Sequence, residues 1–140
     1  MYQKEFYKNL EDFKGKLLEF KENPAKRDDS FEDYFKFFAH ISGVPGVYKD
    51  ELADFLSQEM INLLEQYYSI LNQSVRMTLV TCLKIMRGKD VVAPTVVLPV
   101  LFKLFRCEDK ALRKFIHAII VLDLKRLNLK TKVNNINRKL

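Results

Sequence analysis

The 140-residue sequence contains no tryptophan, two histidines, two cysteines, four glycines and four prolines. These scarcities narrow the field. Cys82 and Cys107 make no disulfide framework and no metal or redox spacing, so in their apolar context they read as buried free thiols. His40 and His117 each lack a second ligand at metal spacing and read as ordinary structural residues. No apolar run approaches the roughly 18 to 20 residues of a membrane span, because residues 96–105 are interrupted by Lys103 and followed by Arg106. The first residues lack the basic-then-apolar order of a secretory signal, and the chain reads as intracellular. The acids Asp28, Asp29, Glu32 and Asp33 have neither the glycine turn nor the spacing of an EF-hand; they suit the positive end of a helix dipole. No phosphate loop, nucleophile elbow or Ser, His and Asp set can be assembled. Nothing nominates an enzyme, a cofactor or a small-molecule substrate.

What the sequence does have is a repeat. Asn72-x-x-Val75-Arg76-x-x-Leu79-x-x-Cys82-Leu83 returns 37 residues later as Asp109-x-x-Leu112-Arg113-x-x-Ile116-x-x-Ile119-Ile120. An Asx residue caps a helix by accepting from its first free N–H groups, and apolar residues three or four apart fall on one face. Each copy is therefore a capped amphipathic helix. Between them Pro94 opens a second helix per period, with Pro99 predicting either a kink or a later start. Upstream, Phe6, Leu10, Phe13, Leu17 and Phe20 make one apolar stripe that ends at Asn23-Pro24. Ser30 reads as the cap of a second helix carrying Phe31, Tyr34, Phe35, Phe38 and Ile41. Gly43-Val44-Pro45-Gly46 is a break. A short turn over residues 49–55 and a helix capped by Ser57 follow, and Gly88 is the expected left-handed stop of the first signature helix.

No alternation long enough for a sheet appears. The expected fold is all-α, six to eight helices in a HEAT- or armadillo-like α-solenoid of antiparallel pairs stacked in chain order. One domain covers 1–140: a helical hairpin over 1–42, a repeat core over 49–127, and over 128–140 a basic tail or the start of a further helix.

The net charge of +6 hides a split. Residues 1–75 hold nine Lys or Arg against fourteen Asp or Glu, a balance of −5, while residues 76–140 hold fifteen against four, or +11. A basic half of this kind is either a solvated face or a docking surface for a polyanion, nucleic acid first among them. The candidate partner-binding residues are Arg87, Lys89, Lys103, Arg106, Lys110, Arg113, Lys114, Lys125, Arg126, Lys130 and Lys132. If they share one edge, they form a phosphate-binding strip. Aromatics are not interleaved with them, which argues against base stacking. Arg76 and Arg113, at equivalent repeat positions, are expected to pair within the protein with an acid or a carbonyl.

Longer words carry a resemblance. Arg76-Met77-Thr78, Arg87-x-Lys89, Pro94-Thr95, Leu104-Phe105-Arg106-Cys107-x-Asp109-Lys110-x-Leu112-Arg113-Lys114, Asp123-Leu124-Lys125 and Asn128-x-Lys130-x-Lys132-x-Asn134 together resemble the N-terminal domain of the Severe Depolymerisation of Actin family, densest over residues 52–135. The resemblance implies a non-enzymatic helical-repeat factor of the nucleus and nucleolus. Such a factor assembles and exports the large ribosomal subunit, with pre-ribosomal particles, their ribosomal RNA and other assembly factors as partners, and no membrane. Members of that family are several times longer, so the chain reads as a fragment or a reduced version. The competing expectation is a solenoid adaptor between proteins, in transport or at the cytoskeleton, without RNA contact.

Overall fold

The computed structural model describes the backbone of residues 2–25, 29–42 and 49–139 and the side chains of residues 7–25, 31–42 and 52–132. Six helices and no strand occur among them: α1 (Tyr2–Glu22), α2 (Asp29–Ile41), α3 (Lys49–Tyr67), α4 (Gln73–Gly88), α5 (Pro94–Leu104) and α6 (Lys110–Lys139). The break at 43–46 and the stripe position Phe6 fall outside the described residues or side chains.

Chain neighbours run antiparallel, as the ring pairs Phe20–Phe31 at 4.5 Å and Phe13–Phe38 at 5.3 Å show for α1 and α2. Alternate helices run parallel. α2 lies along α4 and α4 along α6, forming one layer. The other layer is α1, α3 and α5, with α3 packed on α5 and α1 tied to α3 by Phe13 against Phe55 at 6.3 Å and by Lys21 to Glu59 at 2.9 Å. Two layers of helices advancing one repeat at a time are an α-solenoid.

The apolar stripes meet between the layers. Leu10, Phe13, Leu17 and Phe20 are buried, and with Phe31, Phe35 and Phe38 they make an aromatic core in which Phe35 meets Phe13 at 4.9 Å and Phe31 at 4.7 Å edge-on, while Phe20 stacks on Phe31. Further along, the core turns aliphatic. Leu79 and Leu83 of the first signature helix, Leu112 and Ile116 of the second and Leu101 of α5 are all fully buried. The 37-residue repeat therefore places equivalent residues in equivalent interiors.

Five local expectations change. Residues 49–67 form one helix, and Ser57 is inside it, its hydroxyl donating to the Asp54 carbonyl at 3.2 Å instead of capping a new start. α2 begins at Asp29, so Ser30 lies within it. α5 starts at Pro94 and runs through Pro99, an exposed position whose ring supplies no N–H for the ladder bond to the Thr95 carbonyl. α4 continues through Gly88, and the left-handed residue is Asp90 at φ 56°. Val91 N–H donates to the Met86 carbonyl and Asp90 N–H to the Arg87 carbonyl, both at 3.1 Å, so the helix ends in a Schellman motif with aspartate in the place usually taken by glycine. Finally, residues 128–139 are neither a separate tail nor a new helix. They extend α6, whose 30 residues span about 45 Å at 1.5 Å per residue.

Candidate functional site

The basic half is organised by two clamps that hold α6 beside α4. At the first, the caps fall where the repeat places them: Asn72 Oδ1 accepts from Ser74 N–H at 2.9 Å, and Asp109 Oδ1 from Leu112 N–H at 3.1 Å. Arg76 of one repeat then faces the cap of the next, its Nη2 lying 3.8 Å from Asp109 Oδ2 and its guanidinium 5.5 Å from the Tyr68 ring centroid. Its repeat partner Arg113 donates to the Cys107 carbonyl at 3.1 Å. Both arginines are thus held within the protein. Tyr68 is itself tied down, its hydroxyl accepting from Glu108 N–H at 3.3 Å; burial, with Cys107 beside it, pushes its ionisation upward.

At the second clamp, Arg87 reaches across to Asp123, with Nε to Oδ2 at 2.9 Å and Nη2 to Oδ1 at 2.6 Å, while Nη1 donates to the Val92 carbonyl at 2.8 Å. This two-pronged bond to Asp123 raises the already high guanidinium pKa, against the opposing effect of burial. Arg87 is only 4% exposed. It is a buried interhelical arginine and is withdrawn from the candidate surface. The sequence hides this pairing, because an arginine at a helix end looks solvated and its acid lies 36 positions away.

Beyond this clamp sits Asp90. Its carboxylate receives Arg87 at 3.4 Å, Arg126 at 3.4 Å and Lys130 at 3.5 Å, while Arg126 also donates to the Arg87 carbonyl at 3.1 Å. Partial burial acts to raise the Asp90 pKa, but Lys130, Arg126 and Arg87 together hold it below the usual carboxylate range. Two of the predicted phosphate contacts, Arg126 and Lys130, are therefore engaged by an acid of the same chain. Lys103 is similarly paired with Glu65 at 3.2 Å.

The remaining candidates divide between opposite ends of the helix layers. Lys89 stands at the C-terminal end of α4, whereas Arg106 and Lys110 flank the α5–α6 turn at the other end. They do not share one edge. What does line up is the outer face of α6. Lys110, Lys114, Lys125 and Lys132 are all exposed, and their separations of four, eleven and seven residues are near-multiples of the helical turn. They form one stripe about 33 Å long. The only acid between residues 110 and 139 is Asp123, buried against Arg87.

A second buried acid, Glu32, stands in the first turn of α2, as the sequence leads one to expect, and also reaches α4, accepting at 2.7 Å from the hydroxyls of both Ser74 and Thr78. Cys82 is buried, and desolvation pushes its thiol up to about 12, against a smaller opposing effect of Lys36. Among the described residues no three His, Cys, Asp or Glu side chains gather as a metal site, and no helix is long and apolar enough to cross a membrane.

Comparison with known proteins meets this geometry from outside. A family model described as "SDA1, HEAT repeat" matches residues 37–140. The protein SDA1 homolog of Nematostella vectensis is 34% identical over 133 residues, which cover 95% of this chain and 19% of that protein. The SDA1 homolog of Drosophila melanogaster is 32% identical over 139 residues, covering 99% of this chain and 19% of its own length. Protein sda1 of Schizosaccharomyces pombe is 27% identical over 138 residues, covering 98% and 19%. The chain spans about a fifth of the length of these relatives.

Proposed function

The chain belongs to the SDA1 family, and from that premise we propose that it is a non-enzymatic helical-repeat scaffold of the nucleus and nucleolus that docks on ribosomal RNA of the maturing large subunit. The observation that carries the reading is the lysine stripe of α6. Four exposed lysines on one helical face, with no exposed acid on that helix among the described side chains, make a sequence-independent counterion for a phosphate backbone. Arg106 extends the positive field around the α5–α6 turn and Lys89 contributes from the opposite end, while Lys103, Arg113, Arg126 and Lys130 are engaged within the chain. Recognition of this kind reads backbone and shape, so preference among RNA sequences is weak.

The test is a salt titration of binding to a structured fragment of large-subunit ribosomal RNA. Replacing Lys114, Lys125 and Lys132 with alanine should lower affinity and flatten the slope of log affinity against log salt by about 2 to 3 units, at roughly 0.7 to 0.9 per phosphate. Helix content should be unchanged, since the three side chains are exposed and alanine is a strong helix former. A variant that binds with the parent's affinity and slope would exclude the α6 stripe as the docking surface, and a parent that does not bind the RNA would leave the protein adaptor in its place.

A further inference from the structure

We infer that the cleft between the α3–α4 turn and the α5–α6 turn seats one phosphodiester group of a bound RNA, with the Arg76 guanidinium as its fork and Arg106 and Lys110 as its outer cations. This rests on the RNA docking proposed above, and it adds to the α6 stripe a single contact of fixed geometry.

The cleft lies where two successive repeats meet, and both of its walls belong to this chain. It encloses about 860 Å³, with Tyr68, Ser69 and Arg76 contributed from around the α3–α4 turn and Arg106, Asp109 and Lys110 from around the α5–α6 turn. The repeat supplies an internal comparison, because Arg76 and Arg113 are 37 positions apart. Arg113 donates to the Cys107 carbonyl of its own turn. Arg76 makes no such bond. Its side chain is only 18% exposed, yet none of its N–H groups makes a hydrogen bond among the described residues, and Nε is buried without a partner. What holds it is the Tyr68 ring, 5.5 Å away, and an ion pair with Asp109 that at 3.8 Å is longer than a hydrogen bond. A guanidinium is a planar fork whose donors match the oxygens of a phosphate, and leaving donors unused in a protein interior costs free energy. Arg76 is aimed by its neighbours and still has donors to give.

Charge chooses the ligand. Asp109 Oδ1 accepts from Leu112 N–H at 3.1 Å and from Gln73 Nε2 at 3.4 Å, and the Asp109 side chain is 6% exposed, so the guanidinium is the more open member of the pair. Arg106 and Lys110 are exposed, and neither enters an ion pair among the described residues. The acid nearest them in the chain is Glu108, also exposed; with Asp109 the lining holds two acids against three cations, a balance that favours an anion. Position selects a diester of RNA. Lys110 is the first member of the α6 stripe, so a strand lying along that stripe brings its backbone to the mouth of the cleft. The Ser69 hydroxyl, exposed on the facing wall, is a further phosphate donor of the kind that positions a backbone without reading sequence.

The probe is the dinucleotide UpU, which carries a single diester, titrated into the isotope-labelled 140-residue chain at constant ionic strength. In nuclear magnetic resonance spectra the Arg76 Nε–H and the amides of Ser69 and Ala111 should shift and saturate. Arg76→Lys keeps the charge and loses the fork. It should abolish the saturable shifts at Ser69 and Ala111 and weaken binding of the ribosomal RNA fragment about ten- to a hundredfold, with the salt slope unchanged. Arg106→Gln with Lys110→Gln changes exposed positions only, so it serves where Arg76→Lys fails to fold; it should weaken both ligands and flatten the slope by about 0.7 to 0.9. Glu108→Gln removes a repelling charge and should tighten UpU binding. Shifts confined to the α6 lysines, shifts that survive Arg76→Lys, or weaker UpU binding by Glu108→Gln overturn the inference, as does a phosphoserine peptide that fills the cleft where UpU does not. If the RNA fragment binds and Arg76→Lys matches the parent in both assays, docking stands and the seat falls. If UpU fills the cleft while the parent ignores the RNA fragment, docking falls and the seat stands as a site for a diester.

Discussion

Arg87 and Asp123 are 36 positions apart in the chain and face each other inside the α4–α6 interface through two hydrogen bonds of 2.9 and 2.6 Å, each residue under a twentieth exposed. Removing one partner leaves the other charge buried without compensation. Asp123→Asn should therefore destabilise the fold by about 3 to 5 kcal/mol. The double variant Arg87→Met with Asp123→Leu should recover much of that loss, because neither charge remains to be solvated. Urea denaturation of Arg87→Met, Asp123→Leu and the double variant measures the coupling.

The repeat register predicts equal consequences at equal positions. Leu79 and Ile116, both fully buried, should each cost about 2 to 5 kcal/mol when cut to alanine, through the cavity left behind. Denaturation midpoints that stay at the parent's value in both variants would show that the 37-residue alignment does not describe the core.

Asp90 holds Arg126 and Lys130 away from any phosphate, so Asp90→Asn should strengthen RNA binding. The salt slope should steepen by about 0.7 to 0.9 for each cation that gains a contact. Asparagine also tolerates the left-handed backbone at this position, so the turn is kept. The same substitution has a pH signature. The Asp90 pKa is lowered below its ordinary 3.8, so its contribution to stability is complete above that value and is lost as pH falls through the lowered one. Acid unfolding curves of parent and Asp90→Asn should diverge at neutral pH and converge at the acid end.

Cys82, with its thiol pushed up to about 12, carries almost no thiolate at neutral pH. Alkylation of the folded protein at pH 8 should leave it unmodified, and denaturant should make it reactive at the rate of an ordinary cysteine. Mass spectrometry of peptides spanning Cys82 reads the difference.

The parts of the fold legible in sequence were those set by local chemistry. Asn72 and Asp109 announce two helix starts 37 residues apart because capping needs only a side chain and the next turn, and the stripes Leu10 to Phe20 and Leu79 to Leu83 announce faces because burial imposes a period. Ser57 misled because a serine before an apolar run has the same chemistry whether it caps a helix or bonds back inside one. The length of α6 is hidden because its last turns carry lysines and asparagines that show no amphipathic pattern, although nothing in them breaks a helix. The candidate surface fared unevenly. The count of cations was visible, whereas Arg87, Arg126 and Lys130 are committed to acids that only tertiary packing brings near.

The two clamps between α4 and α6 are fourteen residues apart on α6, from Asp109 to Asp123, and eleven on α4, from Arg76 to Arg87. A single tether would let one helix slide or roll against the other. Two tethers near opposite ends of the shared length act as a gauge: a slip of one turn, about 5.4 Å, would strand a buried arginine at one station and a helix cap at the other. The spacing between successive repeats is thereby set by side-chain reach and not by the compliance of an oily interface. Whatever surface this scaffold offers is carried on a frame with a fixed pitch.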